Sequence, residues 1–546
     1  MGLAKGWIWV RRVAVAVIAV GLVLRFANLD RKVYWHDEAY TSLRVAGYIG
    51  PAVEAASRDR PTLTAAELLN YQQLPPSPSL ADCWNALAHN PEHPPLYYLL
   101  AHGWGRLFGA SVADYRAIAA VFGALALGVM FWLGRLLFPA QPAIAWVATA
   151  LLAVSPLQLI YSQEAREYTL WAVGLLLAHG TLVRAMGLGT GRAWVAYGLA
   201  MGLAWYGSLM TVLLGLSHLV YIALSYLVSQ KSDYEPHHES HQKPHLPVWM
   251  AFGAANGLGL GLFAPWLWVI GQNWGRLRTV TAWANEPRPL AYLAQFWGLH
   301  YSATVVDFNA PLNHPFTVVG PALVLLVVGL GLGHLWRTYP RSVALFLSCG
   351  LLVPPLVLTG GDVVRSSQFS GTTRYFFPSL LLVPLAIAPL IVHGLRVPRR
   401  APAWAAALLA LLLTLGMCSG VANNRALTWW NKTVGYSNLY LGDYLRQVPE
   451  PVVLVGASGI AFGEALSLSH YLRPDTPLWL LPDMAMPSPD RLQAVLQARP
   501  GATLFLLKPP PALLSTVPLG WQAIPTTEGA QFAPADLVKL VAPQRP

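Results

Sequence analysis

Acid is scarce in this chain: Asp and Glu supply only 25 of 546 residues. Two of them, Asp37 and Glu38, stand side by side in the stretch VYWHDEAYTS (33–42). A carboxylate can take the proton of an attacking hydroxyl, and a second one beside it can orient the first. Glu92 and His93 form another adjacent pair, just before Pro94 and Pro95, which stop any preceding helix and aim both side chains at one place. Arginines follow along the chain: Arg116, then Glu164 with Arg166 in YSQEAREY (161–168), then Arg365 and the pair Arg374–Tyr375 in GGDVVRSSQFSGTTRYF (360–376). Guanidinium groups grip phosphate oxygens two at a time. Carboxylates beside arginines and tyrosines therefore suit chemistry at an anionic phosphate. Plainer readings exist for each. Asp37 could begin a helix through EAYTSLRVAGYI and accept its free N–H groups. Arginines near helix ends snorkel to headgroups, and Tyr161, Tyr168 and Tyr375 could be interfacial anchors.

The elements that must position these residues follow from composition. The chain is 55% hydrophobic and 11% charged, far from the usual quarter of charged residues in a soluble domain. Apolar runs near twenty residues recur, as helices crossing a hydrocarbon core require. The fold class expected is an α-helical polytopic membrane protein with a small C-terminal α/β domain. The first apolar run has no small-residue cleavage site after it and reads as an uncleaved first helix. About eleven spans are expected, near 12–26, 116–134, 142–160, 168–186, 193–209, 211–228, 248–270, 316–335, 342–360, 375–394 and 402–418. The segment PPLYYLLAHGWGRLFG (94–109) contains His102 and Arg106 and is read as an interfacial amphipathic helix. Every basic cluster between spans then falls on one side, which the charge rule makes cytoplasmic. The N-terminus is expected inside and the C-terminal domain outside, with two long outer loops at 27–115 and 271–315. The expected domains are 1–420 in the membrane and 421–546 outside it.

With that topology the polar residues gather on the outer face: Asp37, Glu38, Glu92, His93, Arg116, Glu164, Arg166, His300, Arg374 and Tyr375. Ionisable groups at membrane depth are expensive and usually mark a functional cavity. A divalent metal ion held by Glu92 and His300 is an alternative to a hydrogen-bonded rim. The run DYEPHHESHQKPH (233–245) has four histidines and could bind a metal, though a solvated loop accounts for it. GASGIAFGEAL (456–466) follows a strand and opens a helix, but lacks the full dinucleotide fingerprint and reads as an ordinary strand-to-helix turn. The net charge of +11 is scattered between spans, so membrane lipids and not nucleic acid are the expected partners. Three cysteines form no framework.

The motifs WHDEAYT, EHPPLYYLL, DYRAIAAVFGAL, SPLQLIYSQEAREYTLW and TTRYFFPSL, in this order over residues 1–420, resemble the polyprenyl-phosphate-sugar-dependent glycosyltransferases of family 39. That group has the GT-C membrane fold and includes protein O-mannosyltransferases and the aminoarabinose transferases of lipid A. The resemblance implies a sugar donor on undecaprenyl or dolichyl phosphate, an outward-facing site and a paired acid in the first loop. The acceptor would be a lipid, glycan or protein. It further implies a plasma (inner) membrane location, with Asp37 as base, Glu38 as its partner, and Glu92, His93, Arg116, Glu164, Arg166, Arg374 and Tyr375 around the substrate. The chain departs from the group in two ways. It has no sugar-binding-like domain between spans, unlike eukaryotic O-mannosyltransferases, and the aminoarabinose branch has Lys where His93 stands. The alternative function is a transporter or flippase of lipid-linked saccharides. That reading predicts inverted repeats and charges at the midplane, whereas the charges here cluster toward one surface.

Overall fold

The computed structural model describes residues 2–57, 62–77, 79–230, 247–396, 402–482, 485–526 and 536–543. The histidine-rich run and most of RVPRR (396–400) lie outside the described residues. The chain forms two compact units. A membrane unit comprises Met1–Leu29, Asn90–Tyr97 and Arg116–Arg425; an α/β unit comprises Asp30–His89, Tyr98–Tyr115 and Ala426–Pro546. The division differs from a cut near residue 420, because most of the first long loop folds with the C-terminal chain.

In the membrane unit, seven helices among the described residues are long and apolar enough to cross a bilayer, and two bent pairs bring the number to nine. Helices Gly2–Phe26 and Gly191–Gly207 lie where the other two spans were expected but are not among those nine, fewer than the eleven expected. Small residues let these helices approach closely: a Cβ on Gly198 would fall 2.7 Å from the Ala255 carbonyl oxygen, and one on Gly259 3.0 Å from that of Gly198. The bent pairs matter most for function. Pro142–Ala153 and Pro156–Ser162 meet at 58°, and Thr373–Leu380 and Val383–Arg396 at 42°.

The first bend follows from one residue. Pro156 has no N–H to give the Leu152 carbonyl, and the Leu157 N–H goes instead to Ala303. Both acceptors are recovered by Arg25, fully buried, whose guanidinium donates to the carbonyls of Gly21, Leu152 and Ala153. A break in a spanning helix persists only where the freed backbone groups find such partners.

The α/β unit is built on a six-stranded sheet: β1 (Leu63–Thr64), β2 (Pro451–Gly456), β3 (Pro477–Leu481), β4 (Thr503–Leu507), β5 (Gln522–Pro525) and β6 (Leu537–Val541), in the order β1-β3-β2-β4-β6-β5. The central strands β3, β2 and β4 are parallel, and both edges are antiparallel. PVVLVG and PLWLL are buried at every position, as expected of parallel strands covered on both faces. The β1 strand comes from the first long loop and pairs Leu63 with Leu478. PPLYYLLAHGWGRLFG contains a 13-residue helix, Leu96–Phe108, which is not among the span candidates.

Candidate active site

The first bent span of the chain ends at Ser162, and the next helix begins at Tyr168. Between them, residues 163–167 form a tight turn in which the Arg166 N–H donates to the Glu164 carbonyl at 2.7 Å. This break lets both Glu164 and Arg166 be buried, at 0% and 1% exposure, although two residues apart on a helix they would face different ways.

Arg166 is held in place by neighbours from two segments. Its Nη2 lies 3.2 Å from Glu167 Oε1 and 3.3 Å from His93 Nδ1, and it donates to the Tyr168 hydroxyl at 3.4 Å. His93 Nδ1 is itself 3.4 Å from Glu167 Oε1, while its Nε2 is 3.5 Å from Glu92 Oε1. Glu92 is steadied by Asn90, which donates from Nδ2 at 3.3 Å, and the Pro91 carbonyl accepts from Trp266 Nε1 at 3.1 Å. Burial alone would push the Glu167 carboxyl up. The Arg166 guanidinium and His93 outweigh it and hold the group at about 2.

A second guanidinium meets the same ring. The Cζ atoms of Arg166 and Arg374 each lie 5.6 Å from the centre of Tyr168, and Arg374 is 5.7 Å from Tyr375. Arg374 sits in a short 3-10 turn, Thr373–Phe376, which is fixed from behind. The Asp362 carboxylate accepts from Ser367 Oγ and from the N–H groups of Phe369 and Ser370. His300 bonds to the Ser370 carbonyl through Nε2 at 2.9 Å and to Thr373 Oγ1 through Nδ1 at 2.9 Å. A carbonyl can only accept, so Nε2 carries the proton and Nδ1 takes the hydroxyl's. Burial lowers the His300 pKa to about 4 and keeps the ring neutral. With both nitrogens engaged, His300 serves as a brace for the Arg374 turn. No group of three or more His, Cys, Asp or Glu side chains among the described residues is placed to hold a metal ion.

The other predicted residues are placed as follows. Arg116, fully buried, donates to the Leu29 carbonyl at 2.7 Å, where the first helix ends. Arg365 is exposed at the end of the helix Arg341–Arg365. Asp37 and Glu38 belong to the α/β unit, in the first turn of the helix His36–Val45. The N-cap of that helix is Trp35, with no side-chain cap, so Asp37 is not the cap that its position suggested. Glu38 is fully buried and pairs with Lys432 at 3.1 Å, while Asp37 keeps 19% exposure. Glu167, Lys432 and Asp362 are the contributors that sequence reasoning passed over.

This geometry defines a class: a bundle of broken membrane helices presenting oriented arginines, Arg166 buried and Arg374 half-buried, beside tyrosines and carboxylates. Residues 92–253 match the family model of dolichyl-phosphate-mannose-protein mannosyltransferases. ArnT from Cupriavidus metallidurans, solved bound to undecaprenyl phosphate, aligns over 98% of this chain and 98% of its own at 15% identity and a TM-score of 0.52. Its apo state gives the same coverage and TM-score at 14% identity. The apo oligosaccharyltransferase of Archaeoglobus fulgidus covers 91% of this chain and 69% of its own, at 13% identity and a TM-score of 0.49. No curated protein sequence matches. The fold is shared with ArnT, a GT-C protein, as the expected fold class requires, and the family match falls on residues 92–253 of the stretch that carries the motifs. Nothing in the comparisons favours the transporter alternative.

Proposed function

We propose that the protein is an inverting glycosyltransferase that moves a sugar from a polyprenyl-phosphate donor to a hydroxyl acceptor on the extracytoplasmic side of the membrane. The observation that supports this most directly is the pair of guanidiniums on the Tyr168 ring, one of them fixed by Glu167 and His93. Preorganised cations of this kind stabilise charge that develops on a leaving phosphate. The reaction follows. The acceptor oxygen attacks the anomeric carbon from the face opposite the phosphate. The carbon–oxygen bond to phosphate breaks, and its electron pair leaves with the polyprenyl phosphate. The acceptor proton passes to the Asp37 carboxylate, which Glu38 orients, and from there to water.

In this scheme Arg166 and Arg374 hold the phosphate. Tyr375, Glu92 and His93 contact the donor, and Arg116 and Glu164 shape the backbone around it. The family match and the ArnT structure with undecaprenyl phosphate support a donor of this lipid class. The distribution of basic residues between spans supports a cytoplasmic N-terminus and an extracytoplasmic C-terminal chain, and the motif resemblance supports a plasma (inner) membrane location. The acceptor is a lipid, glycan or protein hydroxyl.

Purified protein in lipid, given a panel of radiolabelled polyprenyl-phosphate sugars, tests the proposal. Wild type should transfer label from one of them. Asp37→Asn keeps the shape and removes the basic carboxylate, and should slow transfer by about 100-fold or more. An equally fast Asp37→Asn enzyme removes Asp37 as base; donor binding without any turnover in wild type favours transport.

A further inference from the structure

The helix that carries the acid pair is clamped on two sides by the C-terminal chain. On one side Lys432 Nζ reaches Glu38 Oε2 at 3.1 Å, with the two side chains 1% and 0% exposed. The same ammonium lies 5.3 Å from the ring centre of Trp35, the N-cap residue. On the other side stands the helix Gly459–Ser469, which follows β2. The His36 ring is pressed on Gly463 so closely that a Cβ there would lie 2.1 Å from Nδ1. The Tyr40 hydroxyl donates to the Gly459 carbonyl at 2.8 Å. Just upstream, the Tyr34 N–H bonds to the Tyr471 hydroxyl at 2.5 Å, and the Tyr34 carbonyl accepts from Ser467 Oγ at 2.6 Å.

A helix start without a side-chain cap has little of its own to fix it. Here the flanking residues do so: His36 is wedged and Glu38 is ion-paired. Asp37 lies between them and remains partly exposed. A buried pair of this type is weak evidence for stability and is best known for fixing one geometry over others. That is the property a general base needs, because a small displacement of a reacting group costs rate far more than it costs folding.

We propose that Lys432 is a positioning residue for transfer. It fixes Glu38, and through the helix turn it sets the place of Asp37, so that the C-terminal chain takes part in the reaction. This inference rests on Asp37 being the base.

The test uses the full-length protein in lipid nanodiscs and the polyprenyl-phosphate sugar that the wild type turns over. Lys432→Met should lower kcat by about 100-fold and leave the donor KM within about threefold. Lys432→Arg, which keeps the charge and reach, should recover most of the rate. Binding of undecaprenyl phosphate, the lipid without its sugar, should be unchanged in both. Lys432→Met leaves a buried carboxylate unpaired and can fail to fold. The double variant Glu38→Gln with Lys432→Met removes both charges, and should fold, bind undecaprenyl phosphate and remain slow. A folded Lys432→Met enzyme with wild-type kcat overturns the proposal. So does a double variant that loses undecaprenyl phosphate binding along with kcat, because Lys432 would then be a general staple of the fold. Asp37→Asn turning over as fast as wild type overturns the base assignment itself, and the positioning role falls with it.

Discussion

Replacing Glu167 by Gln removes the carboxylate that holds Arg166 while keeping the size of the side chain. Its effect can be worked from the structure. A carboxyl held at about 2 against an ordinary 4.5 is favoured as the anion by about 3 kcal/mol, at RT ln 10 for each pH unit. Loss of one partner from a buried pair costs about the same by a separate route, about 3–5 kcal/mol. The sign with pH follows from the direction of the shift. The folded-state value lies below the unfolded one, so the contribution is complete above pH 4.5 and is lost as pH falls toward 2. At pH 3 less than half of it should remain.

The assay is reversible unfolding in mixed micelles, comparing wild type and Glu167→Gln at pH 7 and at pH 3. The variant should be less stable by about 3 kcal/mol at pH 7, with the gap reduced to about 1 kcal/mol at pH 3. Undecaprenyl phosphate binding should weaken as well, by about tenfold, because Arg166 loses the neighbour that orients it. A gap that is equal at both pH values would refute the reasoning: the Glu167 carboxylate would then owe nothing to Arg166 and His93.

Three further outcomes are expected. Gly463→Ala places a methyl group 2.1 Å from His36 Nδ1; it should cost about 1–3 kcal/mol by overpacking and slow transfer while undecaprenyl phosphate binding, measured directly, is retained. Arg25→Met takes the guanidinium from the Ala153 and Leu152 carbonyls, leaving Leu152 only the Ser155 N–H, and should lower stability by about 3 kcal/mol, visible as an earlier thermal transition in detergent. The His300 ring is neutral down to about pH 4 when folded but titrates near 6.5 when unfolded. The unfolded chain therefore binds more protons in that window and stability falls from pH 6.5 to 4; His300→Gln should flatten this limb of the acid-unfolding curve.

Much of this was legible in the sequence because the signals are local. Apolar runs give the spans, but 142–160 reads as one span, and the bend that Pro156 makes before YSQEAREY appears only in the structure. The motif resemblance brought out Arg166 and Arg374, which the structure sets on one tyrosine ring. Glu167 was missed for a conformational reason. Glu164 and Glu167 both flank Arg166, and adjacency alone does not say which carboxylate turns toward it; the turn at 163–167 decides. The parallel strands of the C-terminal chain were readable as buried runs. The pairing of β1 with β3 was not, nor the contact of Glu38 with Lys432 across 394 positions. Such partners share no pattern along the chain, only a place in the fold.

This arrangement changes how acceptor recognition by the C-terminal chain has to be tested. Deleting residues 425–546 would be the bluntest test of such recognition. Deletion would also remove Lys432, Tyr471, Ser467 and the strand that pairs with β1. Transfer would then fail through the acid pair alone, whatever the chain recognises. A discriminating change must leave that clamp intact. The edge strand β5 pairs only with β6 among the described strands and exposes Ile524 at 46%. An exposed apolar side chain on an edge strand is a natural docking feature. Ile524→Glu should leave kcat and undecaprenyl phosphate binding unchanged, because it touches neither Lys432 nor the acidic helix. If the acceptor docks on β5, its KM should rise by about tenfold, the worth of one lost apolar anchor. An unchanged acceptor KM would rule this edge out and leave the clamp on the acid pair as the contribution of the C-terminal chain that the geometry supports.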